Sequence, residues 1–90
     1  MNRIIDDRVA AELVTASLLT IVPDADVGSL GEHTDLRDSL ELDSLDFLSF
    51  VEQLGRRSGR RIDEDDYDRL RTMHSCVEYL CEHGMSRPQP

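Results

Sequence analysis

Apolar residues recur at helical spacing in the first part of the chain, from Arg3 to Ile21. Acidic residues fall mostly off the apolar face, which comprises Ile5, Val9, Leu13 and Ala16. This pattern is typical of an amphipathic helix. We therefore predict a first helix over Arg3–Ile21, which Pro23 brings to an end.

The pattern changes between Pro23 and Asp43, where glycine, serine, threonine and aspartate separate isolated apolar residues. Such a composition indicates an ordered loop rather than a helix. A loop of this length without regular structure is unusual in a compact domain and tends to be functional. We expect its leucines to hold it against the core, namely Leu30, Leu36, Leu40 and Leu42.

Helical spacing returns at Ser44 and predicts a second helix that runs to about Ser58, where Gly59 stops it. By its helical phase Leu48 is interpreted as a core residue, whereas Leu45 is expected to be partly exposed. The apolar positions of this helix are Leu48, Val51 and Leu54, with Phe47 and Phe50 beside them.

The last third of the chain predicts two more helices. An acidic stretch from Asp63 to Leu70 suggests a short one, and Thr72 then caps another that Gly84 would stop. One side of this last helix is apolar and consists of Met73, Cys76, Val77 and Leu80.

Helices of unequal length, without any strand signal, predict an all-α fold: a four-helix bundle with a long first loop and a short third helix. The 90 residues form a single domain whose core is just large enough to fold alone. We assign residues 1–84 to this domain and expect residues 85–90, which include two prolines, to form a disordered tail.

The charge balance narrows the range of partners. A formal net charge of -9 and a pI near 4.5 disfavour nucleic acid and anionic membrane surfaces, because both would repel the chain. Partners with basic docking surfaces are favoured, and we expect a monomer. All ten basic residues are arginine, a habit typical of GC-rich bacterial genomes.

The chain carries no sign of export or membrane insertion. No apolar run approaches the roughly 20 residues that span a bilayer, and Asp6 and Asp7 interrupt any signal-peptide core. Cys76 and Cys81 lie five positions apart on one predicted helix, where their side chains diverge too far to form a disulfide easily. We expect free thiols and a cytoplasmic location.

The segment Leu40–Asp46, with the sequence LELDSLD, resembles the phosphopantetheine attachment motif of acyl carrier proteins. Ile62–Asp66 is similar to the acidic start of the family's third helix, and Thr72–Leu80 to its fourth. The resemblance extends over about Asp6 to His83. It implies that Ser44 carries a 4'-phosphopantetheine arm, whose thiol holds the cargo as a thioester.

A serine at the start of a helix suits this role, because unpaired amides and the helix dipole favour the negative charge of a phosphodiester. An alternative is that Asp43 or Ser44 serves only as the helix cap, with Asp46 complementing the dipole. The two roles are compatible. The family resemblance also implicates Asp43 in recognition by the phosphopantetheinyl transferase and its metal, and Leu45 and Leu48 in contacts with partner enzymes.

Two features depart from the family pattern. Glu41 stands where the family usually has glycine, and the first loop is several residues longer than in compact members. A cluster of arginines also lies near the end of the second helix, where carriers of fatty acid synthesis commonly have acidic residues. These arginines would either complement the helix C-terminus or contact a partner. They also suggest that the partners are not the general fatty acid enzymes, or that those enzymes contact only the start of the helix, near Asp46 and Glu52. The cluster consists of Arg56, Arg57, Arg60 and Arg61.

The remaining polar residues suggest neither a metal site nor catalysis. His33, His74 and His83 lack the spacing of a zinc site and are expected to face solvent. The acidic run Asp63–Asp68 lacks the glycine and terminal glutamate of an EF-hand loop. No nucleophile, base and acid form a recognisable set, so we expect a protein that is not an enzyme.

The leading hypothesis is a free-standing carrier of acyl intermediates for fatty acid, polyketide or related lipid biosynthesis. It would be served by a phosphopantetheinyl transferase and by acyl-loading and acyl-processing enzymes. One alternative is an aminoacyl or peptidyl carrier of a nonribosomal peptide pathway, and another is an unmodified helical interaction module. A long acyl cargo would be sheltered by apolar side chains, which we expect to be Leu48, Val51, Leu54, Ile62 and Cys76.

Overall fold

The computed structural model describes residues 6–59 and 61–82. Within these ranges the chain is helical and contains no strand, which confirms the predicted all-α class. The expected stop at Gly84 and the tail 85–90 lie outside the described residues. The α-helices are α1 (Asp7–Ile21), α2 (Leu36–Leu40), α3 (Ser44–Ser58) and α4 (Met73–Glu82), and 3-10 helices span Val27–Ser29 and Glu64–Leu70.

Helix α1 begins later than the apolar pattern predicted. Asp6 has extended backbone, and its carboxylate accepts a hydrogen bond from the Val9 amide at 2.9 Å. This bond satisfies one of the free amides at the start of a helix, so Asp6 caps α1. The predicted start at Arg3 is therefore wrong, while the predicted end at Ile21 is confirmed.

The buried face of α1 also differs from the predicted one. Val9 is 38% exposed and Leu13 and Ala16 are only half-buried, whereas Ile5 lies outside the described residues. Apolar side chains surround much of this helix, so spacing alone fitted more than one face. The face that is buried includes Ser17, which is tolerated there because its hydroxyl donates a hydrogen bond to the Leu13 carbonyl at 2.8 Å. That face consists of Ala10, Val14, Ser17 and Leu18.

Helices α3 and α4 both pack against α1. The predicted bounds of α3 are confirmed, since Asp43 caps its start and Gly59 ends it with a left-handed φ of 76°. Val51 and Leu54 are buried as expected, but Leu48 is 44% exposed, and the larger Phe47 and Phe50 are buried instead. The core residues of α3 are Phe47, Phe50, Val51 and Leu54, and those of α4 are Cys76, Tyr79 and Leu80.

The first loop is ordered, as predicted, but it contains a short helix that was not predicted. Helix α2 has only five residues, too few to produce a recognisable apolar period. Asp35 caps it by accepting a hydrogen bond from the Asp38 amide at 3.1 Å. The leucine anchors are confirmed, since Leu36 and Leu42 are buried and Leu30 and Leu40 pack partly buried against the core.

Two backbone hydrogen bonds attach this loop to the start of α4. The Leu36 amide donates to the Arg71 carbonyl at 2.7 Å, and the His74 amide donates to the Glu32 carbonyl at 2.9 Å. The Arg71 guanidinium also binds the Asp35 carboxylate at 2.9 Å. The Asp38 amide, and after it Arg71, lowers the pKa of Asp35 below its usual value. The loop is thereby held in one path.

The predicted short third helix is a 3-10 helix, and the fourth is confirmed with its cap. The Thr72 hydroxyl accepts a hydrogen bond from the Ser75 amide at 3.0 Å. Cys76 and Cys81 are both free thiols, as expected. Burial raises the pKa of Cys76 to about 12. In the ranges the structure covers, no helix is long and apolar enough to cross a membrane.

Candidate functional site

The start of α3 separates the two roles that the sequence left open. The Asp43 carboxylate accepts a hydrogen bond from the Asp46 amide at 2.8 Å, so Asp43 is the cap. Ser44 is the first helical residue and is exposed. Among the described residues its hydroxyl has no hydrogen-bond partner. Because the cap is made by its neighbour, the Ser44 hydroxyl is left accessible to chemistry.

The turn before this site depends on an unusual backbone conformation. Glu41 ends α2 with φ 54° and ψ 46°, in the left-handed region that glycine adopts at little cost. A residue with a Cβ is less stable there by roughly 1 kcal/mol. The left-handed turn is thus formed without glycine. The Glu41 amide donates a hydrogen bond to the Arg37 carbonyl, and the next residue, Leu42, is buried in the core.

A groove of about 650 Å³ opens beside Ser44. Its apolar wall includes two aromatic rings in edge-to-face contact, Phe47 of α3 and Tyr67 of the second 3-10 helix, with centroids 5.9 Å apart. The Arg37 guanidinium lies over the Phe47 ring at 5.2 Å from its centroid. The groove is lined by Asp35, Arg37, Asp38, Leu42, Ser44, Phe47, Leu48, Tyr67, Asp68 and Arg71.

A second groove, of about 500 Å³, lies toward the other end of α3 and also has Tyr67 in its wall. The side chains expected to shelter an acyl chain are therefore divided between these two grooves and the core. Leu48 lines the groove beside Ser44, whereas Val51 and Ile62 line the second groove. Leu54 and Cys76 are fully buried and line neither of these two grooves. Tyr67 lines both grooves, whereas Phe47 lines only the groove beside Ser44.

The other predicted site residues lie along the exposed side of α3. Leu45 is 73% exposed, as expected, and Leu48 is exposed against expectation. Glu52 is exposed and Asp46 is half-buried. Their spacing places Leu45, Leu48, Glu52 and Arg56 on one face of the helix.

The arginine cluster is divided by its contacts. Arg57 donates a hydrogen bond to the Thr20 hydroxyl of α1 at 2.9 Å, so it helps to join two helices. Arg56 and Arg61 are exposed beside the second groove. Arg60 lies outside the described residues. Arg57 is thus engaged within the fold, and Arg56 and Arg61 remain accessible to a partner.

Sequence reasoning missed the groove residues Arg37 and Tyr67. Neither belongs to the attachment motif, and the unpredicted helix α2 decides where Arg37 lies. A weak signal was present for Tyr67, because it is the single aromatic residue in an acidic stretch. His33 and His74 are exposed, as expected, but their rings lie side by side with centroids 4.7 Å apart. His83 lies outside the described residues.

Comparison with known proteins identifies relatives over most of the chain. The family model of the phosphopantetheine attachment site matches residues 10–80. The acyl carrier protein of Lactobacillus acidophilus is 30% identical over 60 residues, which cover 67% of this chain and 75% of that protein. The acyl carrier protein of Rubrobacter xylanophilus is 28% identical over 58 residues, covering 64% of this chain and 72% of that protein.

A solved structure shows the same fold. The solution structure of a protein from Anaplasma phagocytophilum, described as an acyl carrier protein, matches with a TM-score of 0.75. The match covers 97% of this chain and 100% of the other at 22% identity. The long first loop is therefore accommodated within the same helical arrangement.

The different roles of Asp43 and Ser44 predict different effects on stability. Replacing Asp43 with alanine removes the cap and should lower the free energy of unfolding by about 0.5–2 kcal/mol. Asp43→Asn retains a capping oxygen and should cost less than the alanine variant. Ser44→Ala removes an unbonded hydroxyl and should change the free energy by less than about 0.5 kcal/mol. Urea denaturation followed by circular dichroism measures all three, and equal losses for Asp43→Ala and Ser44→Ala would contradict this assignment.

Proposed function

This chain belongs to the family of acyl carrier proteins that bear a phosphopantetheine attachment site, and we propose that Ser44 carries the 4'-phosphopantetheine. Members of this family are carriers and not enzymes. What supports Ser44 is its place as the exposed first residue of α3, with a hydroxyl that the cap leaves unbonded. Its amide and the helix dipole favour the phosphodiester that would form there.

The modification requires a transferase. The Ser44 hydroxyl oxygen would attack the phosphorus of coenzyme A that bears the pantetheine, and adenosine 3',5'-bisphosphate would leave. Asp43 is exposed beside this hydroxyl and is suited to contact the transferase and its divalent metal. The thiol at the free end of the arm then accepts the cargo as a thioester. The chain supplies position, and the arm supplies the reactive group.

We further propose a monomeric carrier in the cytoplasm, serving fatty acid, polyketide or related lipid biosynthesis. The unpaired thiols of Cys76 and Cys81 support the reducing compartment. The acyl carrier proteins of Lactobacillus acidophilus and Rubrobacter xylanophilus support an acyl cargo. A transferase and acyl-loading and acyl-processing enzymes would be its partners.

The exposed face of α3 is the proposed docking surface for these enzymes. Leu45 and Leu48 offer an apolar contact next to Ser44, and Glu52 adds a negative charge one turn further on. Arg56 ends this face with a positive charge, and Arg61 lies nearby. A basic partner surface would be attracted to the first half of α3 and repelled at its end. We infer that the arginines restrict which partners dock.

The groove beside Ser44 is the proposed resting place of the cargo. A short acyl chain can lie against Leu42, Phe47 and Leu48 there. To reach Val51 and Ile62 in the second groove, a longer chain would have to pass Tyr67, which lines both grooves and packs against Phe47. This contact is therefore the proposed limit on how much chain is sheltered.

A second candidate function has a specific observation in its favour. Three carboxylates line the Ser44 groove, from Asp35, Asp38 and Asp68, against the two guanidinium groups of Arg37 and Arg71, the second of which is paired with Asp35. The α-amino group of an aminoacyl cargo would be attracted to the carboxylates, whereas a hydrocarbon chain gains nothing from them. An aminoacyl carrier is therefore the alternative to an acyl carrier. Comparing the thermal midpoints of the same holo protein with a glycyl load and with an acetyl load distinguishes the two functions.

Incubation with coenzyme A, magnesium and a promiscuous phosphopantetheinyl transferase should add one phosphopantetheine to the wild-type chain. Intact-mass spectrometry measures the addition, and peptide mapping should locate it at Ser44. Ser44→Ala should abolish the addition while circular dichroism stays unchanged. The neighbouring serines provide matched controls, since Ser39→Ala and Ser49→Ala should be modified at the wild-type rate. An unmodified wild type would favour the interaction-module hypothesis instead.

Reversing one arginine charge should improve recognition by an enzyme with a basic docking surface. Arg56→Glu is expected to raise the loading rate of the holo protein by a fatty acid ketosynthase several-fold at low salt, and less as salt screens the charge. Arg8→Glu changes the net charge equally and is the matched control, because Arg8 lies on α1 in an exposed pair with Glu12. If both variants accelerate loading equally, net charge and not position decides.

Chain length should have little effect on the stability of the wild-type carrier and a larger effect once Tyr67 is removed. Tyr67→Ala would join the two grooves, and each additional buried methylene would then contribute about 0.8 kcal/mol. Thermal midpoints of butyryl and octanoyl forms measure this gain within each variant, so the cost of the substitution itself cancels. Tyr67→Phe keeps the ring and should behave as wild type. An equal octanoyl gain in wild type and Tyr67→Ala would exclude the proposed limit.

A further inference from the structure

Two histidines and two glutamates, none of them part of the attachment motif, meet where the first loop contacts α4. Ligand atoms of Glu32, His33 and His74 all lie within 4.8 Å of one another. All three side chains are exposed. The Glu78 carboxylate of α4 also approaches His74, at the ring nitrogen that does not face Glu32. We propose that this cluster binds one zinc ion, with Glu32, His33 and His74 as its ligands.

The backbone holds the two halves of this cluster together before any metal is bound. The His74 amide donates to the Glu32 carbonyl at 2.9 Å, and three residues further on from His33 the Leu36 amide donates to the Arg71 carbonyl at 2.7 Å. His33 therefore lies on a short stretch of loop that is fixed at both sides to the start of α4. Ligand side chains whose backbone is already fixed lose less conformational entropy when they bind a metal.

The tight turn around His33 has its own requirement. The Thr34 amide donates to the Gly31 carbonyl at 3.2 Å. A Cβ on Gly31 would lie 2.9 Å from the Thr34 hydroxyl oxygen, so a larger residue would displace that side chain. Gly31 thus leaves room for the Thr34 side chain in the turn that carries His33.

The two ring nitrogens of His74 have different neighbours. Its Nδ1 lies 3.7 Å from the Glu32 carboxylate, and its Nε2 lies 3.5 Å from the Glu78 carboxylate. If Nδ1 binds zinc together with Glu32, then Nε2–H can donate to Glu78. A carboxylate that accepts from the second nitrogen orients the ring and makes it a better ligand. Glu78 is thus assigned as the positioning residue of the site.

The set of donor atoms selects the class of metal. Imidazole nitrogen with carboxylate oxygen suits Zn²⁺, whereas Mg²⁺ and Ca²⁺ prefer oxygen alone. Zinc bonds to these atoms at about 2.0–2.2 Å, so the exposed side chains must close in from their present separations. These side chains are exposed, so they have room to move toward the ion. Three protein ligands leave a fourth position for water, and the carboxylates of Glu32 and Glu78 offset the charge of the ion.

The test uses the 90-residue chain carrying Ser44→Ala and Cys81→Ser. These changes remove the exposed thiol and any thiol on an attached arm, either of which would bind zinc independently. Calorimetric titration with ZnCl₂ should show one saturable site of micromolar or tighter Kd. The thermal midpoint should rise with zinc and stay unchanged with MgCl₂ or CaCl₂.

Variants of the cluster decide where the ion binds. His33→Ala and His74→Ala should each weaken zinc binding at least tenfold, and Glu78→Gln should weaken it by about tenfold as expected for an orienting carboxylate. His83→Ala is the matched control and should bind as the parent. The proposal is overturned by the absence of a saturable site, by retained binding in the His33→Ala His74→Ala double variant, or by an equal loss in His83→Ala. Because Ser44 is absent throughout, the outcome is independent of the proposed carrier function.

Discussion

The hydrogen bond from the Asp46 amide to the Asp43 carboxylate, 2.8 Å long, sets where α3 begins. Once the start is fixed, the helical period decides which side chains turn inward and which remain exposed. Phe47 and Phe50 enter the core, and Leu45 and Leu48 face solvent. The same bond leaves the Ser44 hydroxyl unoccupied at the tip of the helix. Cap, core and reactive group are therefore consequences of one local interaction.

That interaction requires the chain to arrive at Asp43 in one orientation, which the preceding loop ensures. Leu36 and Leu42 are buried on either side of the left-handed Glu41, so the turn between α2 and α3 is anchored at both ends. Burying a leucine side chain contributes about 1.5–3 kcal/mol, more than the roughly 1 kcal/mol that a left-handed non-glycine residue costs. This difference explains how the turn persists with glutamate in place of glycine.

The sequence predicted best the features that depend on local chemistry. The bounds of α3 followed from Asp43 and Gly59, and the cap of α4 followed from Thr72, because capping is decided by a few neighbouring residues. The buried phase of helices was less predictable. Apolar residues nearly surround α1, and α3 offers both leucines and phenylalanines at helical spacing, so the choice depends on which neighbours they meet.

Contacts between distant parts of the chain could not be predicted from the sequence. His33 and His74 are brought together by two backbone hydrogen bonds between the loop and α4, which no local pattern encodes. Likewise the groove beside Ser44 includes Arg37, which α2 places over the Phe47 ring. A helix of five residues leaves too faint a period to predict either its position or the groove that it helps to form.

The distribution of charge along α3 has more consequence for docking than the net charge of -9. Its 15 residues extend over about 22 Å at about 1.5 Å per residue. Screening at physiological salt reduces electrostatic interactions beyond about 8 Å. The carboxylates of Asp43 and Asp46 at one end and the guanidinium of Arg56 at the other therefore act on different parts of a partner. A partner that contacts only the first two turns experiences an acidic carrier, while one that covers the whole helix meets both signs. How far a partner extends along α3 therefore influences selectivity as much as the charge of that partner does.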